Sequence, residues 1–272
     1  MGNIKLSIVT ICYNNCGGLK KTAQSIVTQT YANVEWIVID GGSTDGSVDV
    51  INQYENKVSY WISEPDKGIY NAMNKGLERV TGEYIMFLNS GDYLLKSNTI
   101  ESIIPYLHDK DLYVADICHD IDKKYTPGFK LPENITDQQV LYQLIHFTFP
   151  HPASFFKNNY FKRFGCYDET LKIVADWKAY MLGAILGNCS IEIIPLVTTV
   201  FDTTGISSSG TQSDNERENA FCDMPRLNEL FSFYRNYYTL QTALQDTSIG
   251  RGIVRLYYFF YLNDNEIWAY GN

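Results

Sequence analysis

Acidic and amide side chains follow one short apolar segment near the middle of the first half of the chain. Residues 85–88 are all apolar, and they end abruptly in Asn89-Ser90-Gly91-Asp92. Asparagine and aspartate supply oxygen ligands, and glycine permits a sharp turn between them. Ligands of open α/β sheets gather at the carboxyl ends of strands, which predicts a binding site here. An Asx-type turn that closes a strand without any ligand is the alternative.

Three earlier apolar segments end in the same manner, and they lead to Tyr13, Asp40 and Asp66. An aromatic ring can stack on a nucleobase, and a carboxylate can accept a base N–H, so this edge suits a nucleotide. Carboxylates that converge repel one another, which implies a cationic ligand or a divalent metal such as Mn²⁺ or Mg²⁺. Neither a P-loop nor a GxGxxG fingerprint is present, so metal and side chains must neutralise any phosphate.

The segments between these strands have apolar residues at helical spacing. Strands that alternate with helices predict an α/β fold with a doubly wound, mostly parallel sheet flanked by helices. In the second half, Asn98 with Glu101 resembles a capping box that opens a helix, and Thr136 with Gln139 is predicted to start a further helix. Residues 118–134 are predicted to form a polar hairpin or loop, residues 191–201 a last strand, and the chain from 216 onward helices.

Composition excludes some classes of function. The chain has 272 residues, with 22 basic against 31 acidic side chains, and its net charge of −9 argues against nucleic-acid binding. No signal peptide or membrane-spanning stretch is visible, and the cysteines lack metal-site spacing, so a cytoplasmic protein with reduced thiols is predicted. Residues 251–262 combine two arginines with many aromatic residues. They predict either peripheral contact with the inner face of the membrane or a helix docked on the core.

Several features of the second half admit two interpretations. Asp176 stands where a helix is predicted to begin, so an N-cap role competes with a role in chemistry. His151 lies between two prolines, and it either contacts a ligand or simply packs. The Gly/Ser/Thr-rich segment 202–210 is long enough for an active-site lid, although a linker has the same composition.

Taken in order, these motifs resemble glycosyltransferase family 2, the inverting nucleotide-sugar transferases with a GT-A fold, in the form typical of bacterial surface-polysaccharide synthesis. The resemblance covers residues 6–208. It rests on three motifs, which are Ser7-Ile-Val-Thr-Ile-Cys-Tyr-Asn, Ile39-Asp-Gly-Gly-Ser-Thr-Asp-Gly-Ser and Glu64-Pro-Asp-Lys-Gly-Ile-Tyr-Asn-Ala-Met-Asn-Lys-Gly.

The resemblance implies a role for each matching position. Asp176 would be the catalytic base, and Asp92 would bind the divalent metal, Mn²⁺ or Mg²⁺. His151 and Trp177 would contact the acceptor. The residues expected to bind the donor nucleotide-sugar are Thr10, Tyr13, Asp40, Asp66, Lys67, Asn89, Ser90, Gly205 and Ser207. Asn89 and Gly91 replace acidic residues of the usual motif, so weaker metal binding is expected.

The domain organisation that follows is a GT-A domain over residues 1–210 and a helical C-terminal extension over 211–272. Within the GT-A domain, residues 1–115 would bind the nucleotide and 116–210 the acceptor. The expected reaction moves a sugar, from a UDP-sugar by resemblance, to a hydroxyl of a glycan or lipid-linked glycan.

Two alternatives stay open. A sugar-1-phosphate nucleotidyltransferase would also bind a nucleotide and a metal, but its Gly-rich basic loop is missing here. A catalytically silent nucleotide-sugar binding partner of an assembly complex is suggested by the weakened acidic motif. Asp176 and the segment Gly205-Ile-Ser argue against that second alternative.

Overall fold

The computed structural model describes residues 3–121, 124–127, 131–204 and 210–222. A first compact unit runs from Met1 to Arg217. Gly205, Ser207, the segment 251–262 and most of the predicted C-terminal extension lie outside the described residues. No helix in the described part of the chain combines the length and apolar character needed to cross a membrane.

One nine-stranded sheet organises the described chain. Its strands follow the order β3-β2-β1-β4-β8-β6-β9-β5, and β7 pairs with β6. The strands are β1 (Leu6–Cys12), β2 (Val34–Asp40), β3 (Tyr60–Ser63), β4 (Tyr84–Phe87), β5 (Tyr93–Leu94), β6 (Leu112–Ile121), β7 (Lys124–Pro127), β8 (Ser154–Lys157) and β9 (Ile191–Phe201).

The two halves of this sheet differ in strand direction. Strands β3, β2, β1 and β4 are parallel, as predicted, and all of their polar C-terminal loops therefore meet at one edge. In the second half, β8 is antiparallel to both β4 and β6, whereas β6 and β9 are parallel. The predicted hairpin after residue 118 is present as the antiparallel pair β6 and β7.

Helices cover the sheet. They are α1 (Cys16–Val27), α2 (Ser47–Gln53), α3 (Ile69–Leu77), α4 (Thr99–Ile103), α5 (Asp137–His146), α6 (Tyr160–Phe164), α7 (Ala175–Tyr180), which continues as a π-helical turn, and α8 (Gly210–Cys222). Helix α3 packs very closely on β1, because a Cβ atom on Gly76 would lie 2.5 Å from Cγ1 of Val9. This close packing fixes α3 relative to the sheet.

The helix start predicted at Thr136 is confirmed, and the capping box predicted at Asn98 is wrong. Thr136 and Gln139 exchange the expected side-chain and backbone hydrogen bonds at the start of α5. Asn98 precedes α4, but its side chain makes no capping bond, since its backbone lies outside the extended region that a capping side chain requires. Glu101 instead accepts a hydrogen bond from Oγ1 of Thr30, at 2.6 Å.

Candidate functional site

A cavity of about 1280 Å³ opens at the carboxyl ends of the four parallel strands. Residues 146–152, which precede β8, also form part of its wall. The start of α7 and the end of β9 complete this side of the wall. The size exceeds that of a typical drug-sized pocket, so two ligands can meet in it.

One end of the cavity brings Tyr13 and Asp66 together at Gly41. The Tyr13 ring is 66% exposed, so one face is free to stack. A Cβ atom on Gly41 would lie 2.5 Å from Oδ2 of Asp66 and 3.2 Å from the Tyr13 ring, so only glycine allows this approach. The backbone N–H of Gly68 donates to Oδ1 of Asp66 at 2.9 Å and orients that carboxylate.

Asp40 does not face the cavity, contrary to the sequence prediction. Its fully buried carboxylate accepts hydrogen bonds from the N–H groups of Gly42 and Ser43 and from the hydroxyls of Ser43 and Ser63, at 2.5–3.2 Å. These four donors match the number that a carboxylate can accept. Asp40 therefore shapes the loop that carries Gly41, and the predicted contact with a base N–H is not supported.

Two other predicted donor residues also lie away from the cavity. Thr10 is fully buried, and its hydroxyl accepts a hydrogen bond from Nε1 of Trp36 at 3.0 Å, so it belongs to the core. The Lys67 side chain is exposed and is not among the lining residues. Its backbone N–H donates to Oδ1 of Asn71, so the structure supports a role for this position in the loop rather than at the diphosphate.

The acidic loop after β4 is held in place by α1. Nδ2 of Asn15 donates to the carbonyl oxygen and hydroxyl of Ser90, at 2.9 and 3.3 Å. The Thr22 hydroxyl accepts from the N–H of Gly91 and donates to the carbonyl of Asp92. Gly91 adopts a φ of 112°, which a non-glycine residue rarely does. The loop thus presents its side chains in one defined arrangement.

A second carboxylate, Asp202, lies beside Asp92 at the end of β9. The backbone N–H of Asp202 donates to Oδ1 of Asp92 at 2.8 Å, and a Cβ atom on Gly91 would clash with the Asp202 carboxylate. The pKa of Asp92 is raised to about 7, mainly by burial; the charge of Asp202 contributes to the rise, and the hydrogen bond from its N–H opposes it. The sequence prediction missed Asp202. The available signal was its position directly after a strand, as with Asp40.

These residues fit a divalent metal. Oδ1 of Asn89 is buried and has no hydrogen-bond partner within the described part of the chain, and it lines the cavity with Asp92 and Asp202. Amide and carboxylate oxygens are the ligands that Mg²⁺ and Mn²⁺ prefer. The described residues contain no cluster of three or more His, Cys, Asp or Glu side chains arranged for a metal. Two carboxylates with an amide oxygen are nevertheless sufficient for Mg²⁺, which usually retains water and binds substrate phosphates.

Asp176 lines the same cavity as Tyr13 and Asp66. It is the second residue of α7, and Val174 occupies the N-cap position, so the N-cap interpretation of Asp176 is wrong. The carboxylate is half-buried and accepts a hydrogen bond from the Tyr70 hydroxyl at 3.2 Å. A carboxylate that faces a ligand cavity in this way can accept a proton from a bound hydroxyl group.

The two predicted acceptor contacts are both buried. His151 is 8% exposed, its Nε2 is hydrogen-bonded to the Tyr167 hydroxyl at 2.8 Å, and its ring forms part of the cavity wall. Burial lowers the pKa of His151. Trp177 is 1% exposed, donates to the carbonyl of Leu144 and does not line the cavity, so the predicted acceptor contact of Trp177 is wrong.

An aromatic side chain that the sequence prediction missed does reach this part of the cavity. Phe147 follows α5, is 54% exposed and lines the cavity. No periodicity distinguishes it from the buried phenylalanines nearby, so the sequence contains no signal for its exposure.

Solved structures share this fold. S. aureus TarS (residues 1–349) in complex with UDP-GlcNAc is similar with a TM-score of 0.61, at 18% identity, over 76% of this chain and 61% of that chain. Mannosyltransferase PcManGT from Pyrobaculum calidifontis in complex with GDP-Man and Mn²⁺ also has a TM-score of 0.61, at 15% identity, over 82% of this chain and 64% of that chain. The chain therefore spans less than two thirds of these solved chains. At such identities the similarity shows the fold, which is the predicted GT-A fold.

Sequence comparison defines the family. The family model described as "Glycosyl transferase family 2" matches residues 7–164, more than half of the chain. An uncharacterized glycosyltransferase of Mycobacterium tuberculosis is 32% identical over 237 residues, which cover 84% of this chain and 85% of that relative. The chain belongs to glycosyltransferase family 2, as its motifs predict.

Proposed function

We propose that this family 2 chain is an inverting glycosyltransferase that moves a sugar from a UDP-sugar to a hydroxyl group of a glycan or lipid-linked glycan. The observation that carries the proposal is the position of Asp176. This carboxylate lines the same cavity as Tyr13 and Asp66, so one ligand bound at Gly41 and a second ligand can meet beside it.

In the proposed reaction, Asp176 removes the proton from the acceptor hydroxyl. The resulting oxygen attacks the anomeric carbon on the side opposite the diphosphate, the bond to the diphosphate breaks, and one displacement inverts the configuration. General-base assistance of this kind contributes roughly 10²–10⁴-fold to rate.

Other residues of the cavity would bind the remaining parts of the donor. Tyr13 would stack on the base, and Asp66, oriented by the Gly68 N–H, would accept a hydrogen bond from the nucleoside. Asp92, Asp202 and Oδ1 of Asn89 would hold Mn²⁺ or Mg²⁺. When bound, such an ion neutralises charge on the diphosphate and makes it a better leaving group.

The proposal for the acceptor is coarser. Phe147 presents an exposed aromatic face to the cavity, and aromatic faces pack well against the C–H groups of sugar rings. A cytoplasmic protein with peripheral membrane contact through 251–262 would bring a lipid-linked glycan to this face. The division at residue 210 into a GT-A domain and a helical extension belongs to the same proposal.

Asp176→Asn tests the proposal. We expect sugar transfer to fall by roughly 10²–10⁴-fold, while calorimetry shows an unchanged Kd for the donor nucleotide. Asp49→Asn is the matched control, because Asp49 is also an aspartate in the first turn of a helix but is exposed on α2. Its turnover should equal that of the wild type.

Two outcomes would contradict the proposal. Retained turnover in Asp176→Asn would remove this residue from the role of base, and NMR of a product with retained anomeric configuration would exclude direct displacement. Calorimetry with UDP, GDP and dTDP, each with and without Mn²⁺, identifies the nucleotide. Tight binding without transfer from any sugar of that nucleotide would instead favour the silent binding partner.

A further inference from the structure

The second half of the motif that begins at Glu64 lies on α3 and contacts a distant segment of the chain. Asn74 donates through Nδ2 to the carbonyl of Tyr167 and accepts the N–H of Tyr167 through Oδ1, at 2.9 and 3.1 Å. Asn71 and Asn74 also donate to the two carboxylate oxygens of Glu169, both at 2.9 Å. Helix α3 therefore holds the start of the segment 167–176.

Tyr70 holds the other end of the same segment. Its side chain is 5% exposed, and its hydroxyl lies 2.5 Å from the carbonyl oxygen of Ile173 and 3.2 Å from Oδ1 of Asp176. The Tyr70 ring also packs on the Tyr167 ring, with centroids 5.7 Å apart. The single O–H of this phenol is shared between the two acceptors, so Tyr70 contacts both the backbone that leads into α7 and the carboxylate itself.

Helix α3 is well placed to fix this geometry. It begins directly after Asp66 and Gly68 at the donor end of the cavity, and its close packing on β1 at Gly76 limits its movement. From α8, the Glu216 carboxylate accepts three successive backbone N–H groups of residues 172–174, at 2.6–3.0 Å. The segment that carries Asp176 is therefore held by both α3 and α8.

The titratable groups that face Asp176 come from several elements, and they are Tyr70, His151, Tyr167 and Tyr180. Burial lowers the pKa of the histidine and raises the pKa of each tyrosine, so all four are neutral near pH 7. The charged side chains on the neighbouring cavity wall and on α8 are Lys172, Glu216 and Arg217. Tyr70 therefore remains a hydroxyl donor to Asp176 throughout the range of an activity assay.

We propose that Tyr70 is a positioning residue, whose hydroxyl aims the Asp176 carboxylate at the acceptor, and that the Tyr70, Asn71 and Asn74 face of α3 holds the segment 167–176 for this purpose. The inference rests on the proposed function of Asp176 as the base. It gives the half of the motif that lies on α3 a direct task in the reaction.

Tyr70→Phe is the test, because it removes the hydroxyl and keeps the ring that packs on Tyr167. A hydrogen bond to a charged group is worth enough that we expect kcat to fall roughly 10- to 100-fold. The Kd of the donor nucleotide and the KM of the donor should stay unchanged.

Tyr84→Phe is the matched control. Tyr84 is a buried tyrosine whose hydroxyl donates to the carbonyl of Lys110, at 3.1 Å, and it lies in the core away from the cavity. Its kcat should match that of the wild type, although its thermal stability falls. A purely structural role for Tyr70 would give Tyr70→Phe the same behaviour as this control.

Wild-type kcat in a folded Tyr70→Phe variant would overturn the inference. If that variant does not fold, Glu169→Ala decides, since Glu169 is exposed and accepts hydrogen bonds from both Asn71 and Asn74. We expect kcat several-fold below the wild type with an unchanged donor Kd, and wild-type kcat would overturn the inference. An active Asp176→Asn would refute the proposed function itself, whereas an inactive Asp176→Asn with a fully active Tyr70→Phe refutes only the positioning role.

Discussion

Glu35 is expected to contribute strongly to stability from the edge of the sheet opposite the cavity. This residue, the second of β2, is 7% exposed. Its carboxylate accepts hydrogen bonds from Nζ of Lys5, the hydroxyls of Ser7 and Thr81, and the N–H of Thr81, at 2.6–2.9 Å. These bonds connect β1, β2 and the turn that precedes β4.

The magnitude follows from the pKa of this carboxyl group. Burial alone would raise the pKa of Glu35, but the hydrogen bonds from Lys5, Ser7 and Thr81 lower it from 4.5 to about 2. Each pKa unit corresponds to about 1.36 kcal/mol, so the interactions of the ionised form are worth about 3 kcal/mol. The folded state binds the proton less tightly than the unfolded chain. This stabilisation is therefore present above pH 4.5 and is lost as the pH falls towards 2.

Urea unfolding of the wild type and of Glu35→Gln, each at pH 7 and pH 3, measures this contribution. The variant should be less stable by about 3 kcal/mol at pH 7 and by only about 1 kcal/mol at pH 3, where most of the wild-type advantage is lost. Glu55→Gln, an exposed glutamate, is the control and should show no difference at either pH. Sugar transfer by folded Glu35→Gln should equal that of the wild type. A stability difference that does not shrink on acidification would refute the reasoning.

Two further predictions concern the cavity. Removal of divalent metal with a chelator should lower the thermal unfolding temperature of the wild type, and re-addition of Mn²⁺ should restore it, whereas Asp92→Asn should respond to neither treatment. Calorimetry should show that the affinity for Mn²⁺ falls below pH 7. Metal binding requires the ionised carboxylate, and the pKa of Asp92 is raised to about 7, mainly by burial. A pH-independent affinity would contradict this assignment. Gly41→Ala should weaken donor binding by roughly tenfold or more, because the added Cβ atom overpacks the contact between Tyr13 and Asp66. Gly17→Ala is its control, since a Cβ atom there meets nothing within 4 Å, and equal donor Kd values for the two variants would exclude the steric argument.

The local sequence determines where strands end and which side chains follow them. Mostly apolar runs form β1, β2 and β4, and each ends in a polar loop. Because parallel strands present these loops at one edge, the sequence alone predicts that Tyr13, Asp66 and Asp92 share a cavity. The motifs also predict the family and the fold, because the resemblance that they carry extends over residues 6–208.

Side-chain direction within these strands was decided only by tertiary structure. A strand that is buried on both faces shows no alternation of polar and apolar residues, so nothing local reveals that Thr10 meets Trp36 in the core. Asp40 likewise stands in a motif typical of nucleotide binding, but its own loop supplies three donors to the carboxylate and Ser63 of β3 supplies a fourth. Such hydrogen bonds depend on how the loop folds back, which residue types do not specify.

Contacts between distant segments are the other part that sequence reasoning could not supply. Asp92 and Asp202 are 110 residues apart, and Tyr70 and Asp176 are 106 residues apart. Residue types identify Asp92 and Asp176 as chemically useful. Their neighbours, and therefore the raised pKa of one and the orientation of the other, arise only when β9 pairs within the sheet and the segment 167–176 packs on α3. Local propensity and strand order place the site, and long-range packing decides which groups act on one another within it.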